Sequence, residues 1–432
     1  MPIDVAPTEA ERSGIRVRLV SGGPLEGLRV IELAHIMSGP TCGMLLADMG
    51  ADVIKVEKIP GGDDTRRFTP PTINGESAAF MMMNRNKRGI AVDLKTSSGL
   101  ELLRRLLAVA DVVTENYRGG TMEKLGLGYE ALKARNPGLI YCAISGFGRS
   151  GPDAMKGGFD LVAQGMSGLM RITGEPGGAP VKVGSPVTDI NAGMLAALGV
   201  VSAYVHRLKT GEGQFVDTSL FEAGIMQTYW QTAIFLGSGK TPGPLGSAHP
   251  LTAPYQAFET KDGWITLGAS NQVNFERVCR MLDAPGLIDD PRFHDNASRM
   301  TNREALVAIL GARFREHTSR ELLASLDAAG VPAGPVFDIP DMLAYPQTLA
   351  REMIVELDHP QAGRTQAIGA PIKFSATPAR VERPAPRFGE HTREVCREAG
   401  FSDAETDAML ASGAIAEPPA MNNPTTSEAG AN

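Results

Sequence analysis

Short apolar runs alternate with helical segments through the first third of this chain, and this alternation constrains the fold more than any other feature. Apolar runs at 28–33, 51–57 and 88–94 have the length of buried strands. A helix is predicted at 100–110, after possible caps at Thr96, Ser97 and Ser98. Further strands and helices follow to about residue 150. This alternation is typical of βαβ units, so a largely parallel, Rossmann-like α/β domain is predicted.

The size, charge and cysteine content of the chain indicate which kinds of protein it can be. Its 432 residues are too many for a single compact core, so two domains are expected. The net charge of -7 argues against non-specific binding of nucleic acid. Four widely separated cysteines, without a CxxC pair, do not fit a structural zinc site or a disulfide framework and favour a reducing cytoplasm. No metal is predicted.

The longest apolar stretch, residues 190–205, is rich in alanine and glycine and is shorter than a bilayer span. We interpret it as a buried helix that Asn191 caps and Gly211 ends. The N-terminal residues lack the apolar segment of a signal peptide. Neither feature predicts a membrane-bound protein, and a cytoplasmic location is expected.

A literal GxGxxG motif, formed by Gly146, Gly148 and Gly151, follows a predicted strand. In dinucleotide-binding proteins such a turn opens a helix whose N-terminus holds the pyrophosphate. Here Pro152 follows, and a double glycine at 157–158 does not favour a helix. The pattern favours a plain turn, and a nicotinamide-dependent dehydrogenase remains as one alternative function.

Asp160 lies between glycines and an apolar run, and two interpretations of it are open. The first is a helix cap that accepts hydrogen bonds from backbone N–H groups. The second is a carboxylate nucleophile, which needs no base at neutral pH because its unperturbed pKa is about 4. The flanking Gly157 and Gly158 would let a bulky thioester approach. The two roles are compatible, since a helix N-terminus also stabilises a carboxylate.

Basic residues are grouped near predicted strand ends, where open α/β sheets bind ligands. In an acidic protein this grouping predicts a polyphosphate ligand. The residues are Lys55, Lys58, Arg66, Arg67, Arg85, Lys87, Arg88, Arg118 and Lys124. His35, after the first strand, and His249, in a long loop at 237–254, are either structural or catalytic.

An ordered series of segments from about Leu25 to about Gly400 resembles the class III (family III) CoA-transferases, also called the carnitine dehydratase/bile-acid-inducible F family. The segments lie at 25–66, 84–94, 110–130, 140–152, 157–170, 209–217 and 389–392. The run at 246–272 looks closest to succinate–hydroxymethylglutarate-type dicarboxylate enzymes. Met37 stands where formyl-CoA enzymes tend to carry a glutamine.

The resemblance implies a Rossmann-like large domain, a smaller inserted α+β domain and an interlocked, ring-like homodimer. On this basis the chain divides into seven parts. They are an N-terminal extension (1–22), the first part of the large domain (23–212), a linker (213–232), the small domain (233–335), a second linker (336–355), the C-terminal part of the large domain (356–414) and a disordered tail (415–432).

The resemblance also implies a CoA-transferase mechanism with acyl-CoA and small carboxylic acids as substrates. Asp160 would form an acyl-aspartyl anhydride and then an aspartyl-CoA thioester. Contacts with coenzyme A are expected at Met37, Ser38, Lys58, Asn84, Arg85, Asn86, Lys87, Asn116, Tyr117, Arg118 and Lys124. A loop that shields the intermediate matches Gly246, Ser247, Ala248 and His249.

A second member of the same superfamily, α-methylacyl-CoA racemase, remains an alternative. It would need a histidine beside the aspartate, and this chain has Phe159 there. Asp189 stands in the position resembling the acid of the racemase, so one half of that pair is present.

Overall fold

The structure is a computed structural model and describes residues 22–419. The strands are β1 (Arg29–Glu32), β2 (Asp52–Lys58), β3 (Thr72–Ile73), β4 (Glu76–Ser77), β5 (Arg88–Val92), β6 (Val112–Glu115), β7 (Ile140–Ser145), β8 (Phe215–Ser219), β9 (Tyr255–Glu259), β10 (Trp264–Gly268), β11 (Ala333–Pro335), β12 (Ile354–His359), β13 (Gly363–Ile368) and β14 (Ile415–Ala416). The helices are α1 (Ser38–Asp48), α2 (Ala78–Met83), α3 (Ser97–Ala108), α4 (Thr121–Lys124), α5 (Tyr129–Lys133), α6 (Asp160–Met166), α7 (Leu169–Ile172), α8 (Val187–Thr210), α9 (Leu220–Met226), α10 (Tyr229–Ser238), α11 (Gln272–Met281), α12 (Gly286–Asp289), α13 (Asn296–Thr301), α14 (Arg303–Phe314), α15 (Ser319–Ala328), α16 (Ile339–Ala344), α17 (Pro346–Ala350), α18 (Thr392–Glu398) and α19 (Asp403–Ala411), with a 3₁₀ turn at Asp64–Arg67.

A seven-stranded sheet has the order β14-β5-β2-β1-β6-β7-β8. Its neighbours pair in parallel, except that the short edge strand β14 is antiparallel to β5. The chain builds outward from β1 to β2 and β5, then returns to β6 on the other side of β1. This reversal creates a topological switch point between β1 and β6, the place where open α/β sheets bind ligands. The α/β class and the parallel sheet predicted from sequence are confirmed.

Apolar side chains cover both faces of this sheet, as a parallel sheet requires. On one face, helix α3 packs through Leu102 and Leu106 against a core that includes Val395. Thr96 caps α3 by accepting from the amide of Gly99, as predicted. Helices α1 and α8 contribute to the core cluster of the other face.

Helices α1 and α8 pack closely because α8 presents small residues to α1. A Cβ added to Gly193 would lie 2.5 Å from the carbonyl oxygen of Ser38 and 2.7 Å from the Cβ of Thr41. Only glycine permits this approach. The contact fixes the start of α1 against the first turns of α8.

The start of α8 differs from the prediction. The helix begins at Val187, four residues before the predicted cap, and Asn191 lies inside it, donating to the carbonyl of Val187. Gly211 ends it in the left-handed conformation, as predicted. By length and composition α8 is the one helix of residues 22–419 that could cross a membrane. Its alanine- and glycine-rich face is buried in the core, which is typical of a core helix.

Contacts divide the described chain into two compact units. The first comprises residues 22–163, 185–224 and 346–419, and it contains the seven-stranded sheet. The second comprises 164–184 and 225–345. It has its own antiparallel sheet, β11-β10-β9, and a core in which Phe258, Phe275 and Phe314 are buried.

Several predicted boundaries differ from these elements. The linker predicted at 213–232 contains β8, an edge strand of the main sheet, because apolar positions there pair with β7. The linker predicted at 336–355 contains α16 and α17. The tail predicted from 415 begins too early, since Ile415 and Ala416 pair with β5 as β14. The N-terminal extension lies outside the described residues except for Gly22, as does the tail beyond 419.

Candidate active site

A cavity of about 220 Å³ opens at the carboxyl ends of the central strands, within the first unit. The loops that follow β1, β6 and β7 form its wall, and Asp189 in the first turn of α8 completes it. These loops flank the switch point between β1 and β6. The cavity therefore lies where the sheet topology directs a ligand.

Asp160 begins helix α6, directly after the cavity-lining Phe159. Its Oδ1 accepts hydrogen bonds from the Thr188 amide at 3.0 Å and from the Thr188 hydroxyl at 2.7 Å. The Thr188 amide belongs to the first turn of the 24-residue helix α8, whose N-terminal dipole stabilises a carboxylate. Asp160 therefore caps α8, and one of its oxygens is held in a fixed direction beside the cavity.

Two glycines bring the segment before Asp160 against the end of β7. A Cβ on Gly146 would lie 2.6 Å from the Gly158 Cα, and a Cβ on Gly158 would lie 2.4 Å from the Gly146 Cα. Neither position accepts a side chain without movement of the backbone. The sequence suggests that Gly158 gives a thioester access to Asp160. The close contact with Gly146 is a second reason why glycine is needed at this position.

The carboxyl group of Asp189 lies in the cavity wall, and its pKa differs strongly from the ordinary value. Burial raises the pKa of Asp189 to about 7, and the negative charge of nearby Asp160 adds to the rise. Two neighbouring carboxyl groups thus differ in environment. Asp160 accepts two hydrogen bonds from Thr188, whereas Asp189 keeps its proton up to a pH of about 7.

His35 and Tyr117 stand together in the cavity wall. His35 Nε2 lies 3.3 Å from the Tyr117 hydroxyl. Burial lowers the pKa of His35 to about 4, helped by the charge of Lys55, and burial raises the pKa of Tyr117 to about 12. Both groups are neutral at physiological pH. His35 is thus a neutral hydrogen-bonding group that contacts the cavity.

Buried charges fix the loop that follows β1. Lys55 Nζ lies 3.0 Å from Glu32 Oε1 and 2.8 Å from Asp63 Oδ2, and it donates to the Ala34 carbonyl at 2.9 Å. Asp63 accepts from the amide of Ile36, which has φ of 68°. A β-branched residue in this left-handed region is strained, so the network holds the cavity wall in a conformation that it would not adopt alone.

The structure brings together five of the predicted coenzyme A contacts. Met37 and Ser38 at the start of α1, and Asn116, Tyr117 and Arg118 after β6, all line the cavity. Asn116 accepts from the His35 amide and donates to the His35 carbonyl, which ties the two loops together. These residues lie on loops that meet because β1 and β6 are neighbours in the sheet.

The other predicted contacts do not line this cavity. Lys58 pairs with Asp64 at 2.8 Å, and Lys124 is exposed on α4. The predicted loop residues Gly246, Ser247, Ala248 and His249 belong to the second unit. There the His249 ring packs near Trp230 and Tyr255.

The prediction of a polyphosphate-binding group is wrong for the buried bases, because internal acids neutralise them. Lys55 is buried within β2. Lys87 Nζ lies 2.9 Å from Glu32 Oε2, and Arg85 lies 2.6 Å from Asp48. Arg88 pairs with Asp52 and Glu398, and Arg66 pairs with Glu57. Asn84 and Asn86 are buried too, with hydrogen bonds to Phe80, Asp48 and Arg380.

The GxGxxG motif is a turn. Gly148 and Gly151 have φ of 89° and 83°, and the next helix begins only at Asp160. The backbone amide of Arg149 donates a hydrogen bond to the side chain of Asp217, so this amide is not available to a phosphate. A helix N-terminus that could hold pyrophosphate does not follow the motif, which removes the basis for the dehydrogenase alternative.

Thr188 was missed in the sequence, and Asp189 was noted only for its resemblance to the acid of the racemase. Pro186, Thr188 and Asp189 precede a long apolar run and form a typical helix-start pattern, which Asn191 obscured. The contact with Asp160 spans 28 residues, so no local pattern reveals it. Among residues 22–419 no group of three or more metal-ligating side chains is placed to hold a metal ion.

The sequence and the fold of this chain match those of known proteins. A family profile described as CoA-transferase family III matches residues 25–392. The succinate–glutarate CoA-transferase of Agrobacterium fabrum is 42% identical over 381 residues, covering 87% of this chain and 95% of that protein. The succinyl-CoA:mesaconate CoA-transferase of Haloarcula marismortui is 40% identical, covering 88% and 97%. The crystal structure of a CAIB/BAIF family protein from Brucella suis superposes with a TM-score of 0.78 at 42% identity, covering 88% of this chain and 100% of that one.

Proposed function

Because this chain belongs to CoA-transferase family III, we propose that it moves coenzyme A from succinyl-CoA or another dicarboxylyl-CoA to a carboxylic acid through Asp160. The single observation that carries the role of Asp160 is that Thr188 fixes its carboxylate next to the cavity-lining residues Phe159 and Asp189. The substrate class is inferred from relatives that act on succinyl-CoA or succinate with a second dicarboxylate.

The reaction proceeds in two matched halves. An Asp160 oxygen attacks the thioester carbonyl carbon, a C–O bond forms, the C–S bond breaks, and CoA thiolate leaves an acyl-aspartyl anhydride. The thiolate then attacks the Asp160 carbonyl carbon, releasing the donor acid as its carboxylate and leaving an aspartyl-CoA thioester. The acceptor carboxylate reverses these two steps. No proton is consumed and nothing is oxidised, so a carboxylate nucleophile is sufficient.

The surrounding residues are proposed to hold the acyl-CoA. Met37, Ser38, Asn116 and Tyr117 give the cavity its wall, and Arg118 supplies a cation for a phosphate or a substrate carboxylate. The guanidinium of Arg118 lies beside Gly157, three residues before the nucleophile. No carboxylate among the described residues forms an ion pair with Arg118 in this structure.

A donor–acceptor panel tests this function. Succinyl-CoA, acetyl-CoA and formyl-CoA are each combined with glutarate, mesaconate and oxalate, and new thioesters are separated by chromatography. We expect the highest kcat/KM with succinyl-CoA and a dicarboxylate of four or five carbons. Strong activity with formyl-CoA and oxalate, with none from succinyl-CoA, would refute the proposed substrate class.

The same samples test the racemase alternative. In this chain Phe159 precedes the nucleophile, and a phenyl ring has no acidic or basic group that could transfer a proton. We expect (R)-2-methylacyl-CoA to keep its configuration and its α-proton in D₂O. Deuterium exchange at the rate of CoA transfer would support the racemase instead.

We also propose that the protein is a homodimer and works in the cytoplasm. Met194, Leu198, Val205 and Leu208 form an exposed apolar stripe along α8 in the single chain, which a second copy would cover. Mass photometry at low nanomolar concentration should show a dimer. A folded monomer at that concentration would contradict the interlocked architecture.

A further inference from the structure

Each half of the proposed transfer passes through two tetrahedral intermediates, and in each of them a former carbonyl oxygen carries a negative charge. A hydrogen-bond donor in the cavity stabilises such an oxygen. The stabilisation is largest when the donor is already in position before the reaction, because no group then has to reorient. A neutral carboxylic acid is a suitable donor, whereas an ionised one would repel the intermediate.

Asp189 has the position and the environment for this task. It lines the cavity, and it follows Thr188, the residue that fixes Asp160, in the first turn of α8. Burial and the Asp160 charge both favour its protonated form. The nucleophile and the acid are therefore both held by the first turn of α8.

We propose that protonated Asp189 donates a hydrogen bond to the thioester oxygen that becomes negative when Asp160 attacks the carbonyl carbon. This role rests on the proposed CoA-transferase function. The C–O bond forms as the carbonyl π electrons move to that oxygen, and the Asp189 proton stays on Asp189 while it donates. When the C–S bond breaks, the carbonyl re-forms and Asp189 is unchanged.

Other ionisable groups of the cavity wall do not compete in the same pH range. These are His35, Tyr117, Arg118, Arg149 and Lys156. Asp160 follows the cavity-lining Phe159 in the chain. The pKa values of His35 and Tyr117, about 4 and about 12, lie on either side of the working range. Arg149 pairs with Glu115, and Lys156 pairs with Asp153. Asp189 is therefore the group expected to titrate near pH 7.

A specific kinetic signature follows. In the free enzyme Asp160 is charged, so kcat/KM for the acyl-CoA should fall about tenfold per pH unit above pH 7. In the aspartyl-CoA form Asp160 is neutral and no longer raises the pKa of Asp189. The alkaline fall in kcat/KM for the acceptor acid should therefore begin at a lower pH than the fall for the donor.

Two variants test the role of the proton. Asp189→Asn keeps a neutral donor at every pH, so we expect a loss of less than tenfold at pH 6 and no alkaline fall. Asp189→Ala removes the donor and should lose about 100-fold, the usual effect of deleting one oxyanion donor. An Asn variant that keeps the alkaline fall of the wild type, or an Ala variant within threefold of it, would overturn the inference.

A measurement without turnover separates this inference from the proposed function. The ¹³C-labelled carboxyl of Asp189 is titrated by NMR, with Asp189→Asn to assign the signal. We expect a midpoint near pH 7 in the wild type and a lower one in Asp160→Asn. A raised midpoint in a protein that transfers no CoA would refute the proposed function. An ordinary midpoint in an active enzyme would refute the role of Asp189 alone.

Discussion

Replacing Asp189 by Asn should stabilise the protein, and the gain should depend on pH. Asp189 ionises with difficulty in the folded state because it is partly removed from water and lies near the Asp160 charge. In the unfolded chain its carboxyl is in water and ionises at its ordinary value of 3.8. Asparagine has nearly the same shape as aspartic acid and does not ionise. The variant therefore removes only the free-energy cost of ionising residue 189 in the folded protein.

The magnitude follows from the size of the shift. A pKa that rises from 3.8 to about 7 binds more protons in the folded state across that interval. The contribution of Asp189 to stability is therefore fully present below pH 3.8 and is lost as the pH rises to about 7. One pKa unit corresponds to about 1.36 kcal/mol, so a shift of about 3 units sets an upper bound of about 4 kcal/mol. Water in the cavity reduces the gain below this bound.

The assay is urea unfolding of both proteins at pH 4, 6 and 8, with Asp327→Asn as a control. Asp327 is an exposed carboxylate of α15, so its replacement should change stability by less than about 0.5 kcal/mol at every pH. For Asp189→Asn we expect a gain of no more than about 0.6 kcal/mol at pH 4 and a gain of about 2–4 kcal/mol at pH 8. A gain that does not change with pH, or a loss at pH 8, would refute this reasoning.

Two further substitutions test the frame of the site. Lys55→Met leaves the buried Asp63 without its lysine and leaves Glu32 with Lys87 alone, so it should lower the free energy of unfolding by about 3–5 kcal/mol. Arg105→Met, which breaks an exposed pair, should cost less than about 1 kcal/mol in the same urea titration. Equal effects would show that the buried network does not hold the loop. Gly146→Ala should lower both Tm and kcat, because its Cβ would lie 2.6 Å from Gly158 in the segment that leads to the nucleophile. Gly286→Ala, which meets no atom within 4 Å, should leave both unchanged, and a Gly146→Ala enzyme with normal kcat would contradict the close-packing argument.

Sequence patterns predicted the strands and helix caps that are determined by residues close together in the chain. The strands at 28–33, 51–57 and 88–94, and the Thr96 cap, follow from apolar runs and a hydroxyl before a helix. The placement of Met37 and Asn116 near one another agrees with the rule that ligand-binding loops follow neighbouring parallel strands.

The errors concern partners that are distant in the sequence. The sequence predicts that Lys55 and Lys87 bind a ligand, but both pair with Glu32, which lies 23 and 55 residues away along the chain. A lysine within a strand is buried when an acid on the adjacent strand faces it, and the sequence gives no sign of that register. In the same way, Thr188 was missed as the partner of Asp160.

Asp160→Asn tests the central claim most directly. Asparagine can still accept from the Thr188 amide and hydroxyl, so the cap on α8 and the fold should persist. We expect the variant to have wild-type circular dichroism and Tm and to transfer no CoA. In the wild type, acyl-CoA and hydroxylamine should convert Asp160 to a hydroxamate that peptide mass spectrometry detects. A folded Asp160→Asn protein that keeps most of the wild-type transfer rate would contradict the account.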